Sequence, residues 1–188
     1  MKRTFGCLIA AALVLGPAGL RAAAQTADED AAILRDFSSR VEAYDALRAG
    51  IRVRAPFAEP SADPQQIQQR VDALGDALRA ARRDARPGDI FTPAVTTVFR
   101  RLIRSSCDGH FQELLEATQE DMEFTQPPVV NGHWPGEGFT CMPPLLLCSL
   151  PPLPDGLEYR FVQRDLVLWD SHADLIVDVM TGAIPPLT

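Results

Sequence analysis

Apolar residues recur at helical spacing from residue 28 to residue 124, then at strand spacing from residue 158 to residue 184, with an irregular stretch between. Ile33, Phe37, Val41, Tyr44 and Leu47 form one stripe of a first helix that is expected to close near Gly50. Asp63-Pro64-Gln65-Gln66 starts a second helix, with an Asp cap, proline at the first helical position and a glutamine placed to return the hydrogen bond. Its stripe is Ile67, Val71, Leu74 and Leu78, and Arg79, Arg82, Arg83 and Arg86 crowd its far end, where they complement the carbonyl end of the helix dipole and are expected to be solvated. Thr92-Pro93 caps a third helix carrying Val95, Val98, Phe99, Leu102 and Ile103. After a break at Asp108-Gly109, Phe111, Leu114, Leu115, Thr118 and Met122 mark a fourth. Amphipathic helices on short connections pack antiparallel most readily, so residues 28–124 are expected to form a small antiparallel bundle of about four helices.

Residues 125–157 are crowded with proline and glycine, which forbid long regular elements because each proline removes a donor and fixes a dihedral. Leu145, Leu146 and Leu147 still require burial. The expectation is an ordered strap across the bundle, with one helical turn after Pro143-Pro144. Residues 158–163, 166–170 and 173–180 are rich in Val, Ile, Tyr, Phe and Trp, with turn formers at Arg164-Asp165 and Asp170-Ser171-His172. They predict a three-stranded antiparallel β-meander whose apolar face needs the bundle as cover. The fold class is therefore α+β.

The amino terminus carries a different pattern. Lys2 and Arg3 precede a nine-residue apolar run from Cys7 to Leu15, and Ala22-Ala23-Ala24 offers a small-residue cleavage site before Gln25. This reads as an export signal over residues 1–24, cut after Ala24, leaving one mature domain over 25–188 in the periplasm or the medium. The run is too short to span a bilayer, which takes about 20 residues, so no stable membrane insertion is expected after cleavage. Removal of Lys2, Arg3 and Arg21 leaves 15 basic against 25 acidic side chains, a net charge near −10. That balance argues against nucleic acid as a partner, which requires concentrated positive charge.

Candidate chemistry is sparse. Asp170, His172 and Asp174 form Asp-x-His-x-Asp; on an extended strand all three would share a face, where oxygen and imidazole ligands suit a divalent transition metal. The same residues suit a hairpin turn. Cys107 and His110 place a thiol and an imidazole three residues apart, the minimal outline of a nucleophile and its base in a thiol enzyme or hydrolase. Trp134, in the glycine-rich run Asn131-Gly132-His133-Trp134-Pro135-Gly136, is either the lip of a partner site, together with Trp169, or a plug in the core. Of the mature cysteines, Cys141 and Cys148 are closest in sequence; bridging them would contribute about 2–3 kcal/mol, and the alternative is free buried thiols.

The run Leu150-Pro151-Pro152-Leu153-Pro154-Asp155-Gly156-Leu157-Glu158-Tyr159-Arg160-Phe161-Val162, then Arg164-Asp165-Leu166-Val167-Leu168 and Leu175-Ile176-Val177-Asp178, resembles segments of an uncharacterised family of exported bacterial proteins, as does Gly88-Asp89-Ile90-Phe91-Thr92-Pro93 ahead of a helix. The resemblance implies architecture and export. The proline-led hairpin is also similar to the end of a periplasmic nickel and cobalt homeostasis accessory family, which would imply a part in metal homeostasis, with Asp170, His172 and Asp174 as the ligands that the spacing offers. The expected role is non-catalytic binding or an accessory structural part in the cell envelope, with metal homeostasis as the alternative and a hydrolase or thiol enzyme as the third.

Overall fold

Helix α1, Pro17–Arg54, begins before the first expected stripe and ends beyond Gly50. The alanine-rich residues 21–27 are strong helix formers and carry the helix through the expected cleavage point. The computed structural model describes residues 17–54, 62–106, 126–135, 142 and 144–184. The leader's first 16 residues, Cys107, His110, the fourth apolar stripe and Cys141 lie outside them.

Phe37, Val41, Tyr44 and Arg48 make up the buried stripe of α1. Arg48 takes the place expected for Leu47, which is 37% exposed. Helix α2, Pro64–Ala81, starts as expected: the Asp63 side chain accepts the Gln65 amide at 3.0 Å and the Gln66 side-chain amide at 3.2 Å. It buries Leu74, Gly75 and Leu78, whereas Ile67 is 46% exposed because burial begins only past the middle of the helix. In α3, Pro93–Ser106, Val95, Val98, Phe99 and Ile103 are buried, and the Thr92 hydroxyl accepts the Val95 amide. One further turn, α4 at Pro144–Ser149, follows the prolines where a turn was expected and packs on α3.

The meander is present, with β1 at Leu157–Val162, β2 at Asp165–Asp170 and β3 at Leu175–Met180, antiparallel in the order β1-β2-β3. Gln163 turns β1 into β2 at φ 55. Its helix-facing side meets the helices in a core centred on aromatic rings: Phe37 lies 4.9 Å from Phe99, and Phe99 meets Phe91 and Tyr159 edge-on at 5.7 and 6.1 Å. The opposite side buries Val162, Val167, Trp169, Ile176 and Val179, with Val130 and Trp134 packed on them.

A bulge in β3 decides which side its acid serves. Leu168 pairs with Asp178 but Trp169 pairs with Ile176, so Val177 is an extra residue without an opposite number. Cross-strand partners share a face, and the slip moves Asp178 to the Leu168 side, toward the helices. There its carboxylate accepts four main-chain amides: Gly88 at 2.9 Å and Val179 at 2.8 Å on Oδ1, Ile90 and Phe91 at 2.7 Å on Oδ2. This buried acid fastens the 88–91 loop, and with it the start of α3, to the sheet.

Among the described residues, no helix is long and apolar enough to cross a membrane.

Candidate functional site

Among the described residues, a concavity lies between the strap and β1. It measures about 740 Å³ and is lined by Met142, Leu147, Cys148, residues 150–153 and residues 157–160. Its floor is local chemistry. The α4 turn presents buried Leu146 to the core and leaves Leu147, 50% exposed, and Cys148 facing outward. Pro151, Pro152 and Pro154 lack amide hydrogens, so this stretch runs beside β1 without forming a ladder with it. Two bonds hold it there: the Tyr159 hydroxyl donates to the Pro151 carbonyl at 3.0 Å, and the Leu157 amide donates to the Pro154 carbonyl at 3.1 Å. Burial raises the Tyr159 pKa well above the usual phenol range, so the hydroxyl stays a donor. At the rim, Arg160 forms an ion pair with Glu158 and lies 5.9 Å over the Trp169 ring.

The Asp-x-His-x-Asp residues do not converge. Residues 170–174 form the turn between β2 and β3: the Ala173 amide donates to the Asp170 carbonyl, the His172 amide donates to the Asp170 side chain, and Asp174 takes φ 42. Asp170, paired with Leu175, points to the helices, accepts the Tyr44 hydroxyl at 2.7 Å and meets Arg48 at 3.2 Å. Burial raises the Tyr44 pKa, and the Asp170 carboxylate raises it further. Burial opposes the Arg48 charge, but the Asp170 and Asp45 carboxylates outweigh it and hold its pKa above the ordinary value. Asp174 serves the other side, accepting the Trp134 amide at 3.1 Å and Trp169 Nε1 at 3.2 Å. The His172 ring lies over Gly156, where a Cβ would approach it within 2.6 Å. Among the described residues, no group of three His, Cys, Asp or Glu side chains is gathered to hold a metal. The alternation argument failed because it requires extended backbone and these residues turn.

His133, marked in sequence only as the neighbour of Trp134, has its Nδ1 3.0 Å from Asp174 Oδ2 and 3.0 Å from Arg79 Nη2. Arg79 has only hydrogens to offer and the carboxylate only lone pairs. Arg79 Nη2 also donates to the Asp174 carbonyl, and Nδ1 serves one of its two neighbours according to the tautomer: protonated it donates to the carboxylate, unprotonated it accepts from Arg79. The expectation of a solvated arginine cluster holds for Arg83 and Arg86, which are exposed, and fails for Arg79 and Arg82. Arg79 also donates to the Asn131 carbonyl, and Arg82 donates to Asn131 Oδ1 and the Val177 carbonyl while lying 5.0 Å over the Tyr44 ring. Arg83 remains exposed.

Trp169 is only 6% exposed and Trp134 packs on it with ring centres 5.4 Å apart, so the two tryptophans close the outer side of the sheet and leave no open lip at Trp169. Cys148 is an exposed, free thiol, and Cys141, its expected partner, lies outside the described residues. The strap that holds it near β1 is kept in place by burial of Leu146 and Leu150. No protein-family model, curated protein or solved structure matches the chain.

Proposed function

We propose that this chain is an exported, non-catalytic binding protein of the cell envelope, and that it takes an apolar ligand in the cleft between the strap and β1. The observation that carries this reading is the cleft itself. At about 740 Å³ it falls in the range of small-ligand pockets, roughly 300–1,000 Å³, and it joins apolar walls to a few polar groups, as such pockets do. The export part rests on the positive start, apolar run and alanine site of residues 1–24.

An apolar fluorescent dye such as anilinonaphthalene sulfonate should bind the native chain saturably. Coupling a bulky maleimide to Cys148, an exposed thiol in the cleft wall, should abolish that binding. The Cys148→Ser variant should bind the dye equally well before and after the same treatment. Absence of saturable binding, or binding indifferent to the Cys148 adduct, would refute the reading.

A further inference from the structure

We infer that the ligand of this cleft is an uncharged, extended peptide segment that pairs at Tyr159 with the edge of β1 facing away from β2. The inference rests on the cleft being the binding site and goes on to name what it takes. The lining residues of β1 come from both of its faces. Leu157 and Tyr159 belong to the helix-side core, while Arg160 lies over Trp169 on the other side. A cavity touched by alternate residues of both faces lies against the strand's edge. Four consecutive residues, 157–160, border it, which is about 13 Å of edge at 3.3 Å per residue.

The pairing register says which main-chain groups point into it. Val162 and Asp165 flank the two-residue turn and form a hydrogen-bonded pair, and such pairs alternate, so Arg160 with Val167 and Glu158 with Trp169 also bond across to β2. The groups of Leu157 and Tyr159 therefore face away from β2. The Leu157 amide does so visibly, donating to the Pro154 carbonyl. The Tyr159 amide and carbonyl have no partner outside the sheet among the described residues, although Tyr159 is buried. A main-chain donor and acceptor left open in an apolar recess call for a ligand that supplies both at strand spacing, which an extended peptide does through a single residue. The neighbouring strap cannot supply the donor from Pro151 or Pro152.

Charge narrows the class further. Glu158 and Arg160, the charged residues of the lining, are paired with each other. An acidic or basic ligand side chain would have to break that pair, so the matching segment is neutral, with an apolar side chain toward the wall of Leu147 and Leu150.

The test uses the full chain, the dye described above, and acetyl-Val-Leu-Val-amide as the probe. The peptide should displace the dye, and in amide-resolved NMR the Tyr159 proton should move downfield and exchange with deuterium more slowly by a factor of about two to ten, the range that one net hydrogen bond supplies. Dye alone should leave that amide unchanged. If the dye binds and the peptide fails to displace it, or displaces it while the Tyr159 amide keeps its exchange rate, strand addition is overturned and the apolar cleft stands. If neither probe binds, both readings fall.

Discussion

Two glycines show how little a residue type says without its surroundings. Gly50 sits inside α1 with nothing within 4 Å of where a Cβ would be. Alanine there removes the conformational entropy that glycine surrenders on entering a helix, so Gly50→Ala should stabilise the chain by about 0.5–1 kcal/mol. Gly75 sits equally deep in α2, but its Cβ would come within 2.5 Å of the Ala173 carbonyl oxygen, on the β2–β3 turn. Helix propensity favours alanine by the same amount at both sites; at Gly75 the neighbour is main chain and cannot rotate away. Gly75→Ala should therefore destabilise by about 1–3 kcal/mol. Denaturant melts of the two variants should shift in opposite directions, and a shared direction would mean that the α2 contact with the turn is looser than the structure has it.

At the scale of elements, α1 runs through the expected cleavage point, and the residues just after it are fitted to become a helix start. Thr26-Ala27-Asp28-Glu29 is a capping box, and Asp28, Glu29 and Asp30 place negative charge in what would be the first turn, where the dipole favours it. Arg101 holds that turn through both oxygens of Asp30, at 2.6 and 3.1 Å. In the uncut chain Thr26 is interior to the helix and caps nothing, so Thr26→Ala there should lack the cost of a lost cap. In the chain beginning at Gln25 the same change should cost about 1 kcal/mol. Paired melts of the two forms check this, and equal effects would mean that cleavage does not convert Thr26 into a cap.

Elements were legible in proportion to how local their causes are. The α2 cap, the α3 stripe, the α4 turn and the three strands follow from residues within a few positions of one another, and all are present. Arg82 was misread because the groups that it meets lie 49 and 95 residues away, and an arginine at a helix end looks solvated until the chain folds back on it. The Gly88-Asp89-Ile90-Phe91 and Ile176-Val177-Asp178 segments were noticed as separate marks of a resemblance. The Asp178 carboxylate joins them into one unit, and only the bulge at Val177, which periodicity does not announce, turns that acid toward the loop. The cleft was missed for a similar reason: it belongs to neither strap nor strand alone. Its sequence signal was present in the prolines at 151, 152 and 154, too poor in donors to close the edge of the strand beside them.

For the molecule as a whole, the two halves of the core are joined by tyrosines whose ionisation folding forbids. The chain has two tyrosines, Tyr44 on α1 and Tyr159 on β1, and both are buried. Burial raises both pKa values above the ordinary value near 10, with the Asp170 carboxylate adding to the effect at Tyr44. A group whose pKa is higher in the folded state than in the unfolded state contributes stability that is fully present below the unfolded pKa and is lost as pH rises toward the folded one. Stability should thus be insensitive to these groups below about pH 10 and then fall by about 2.7 kcal/mol per pH unit, the slope for two protons released on unfolding. The only lysine is Lys2, so lysine titration scarcely overlaps this window. Phenolate absorbance near 295 nm should stay flat through pH 10 and then rise in one cooperative step that coincides with loss of the far-ultraviolet circular dichroism signal. A gradual rise centred near pH 10 with the fold intact would show that at least one of the rings reaches solvent, and with it that the contact between α1 and the sheet is open.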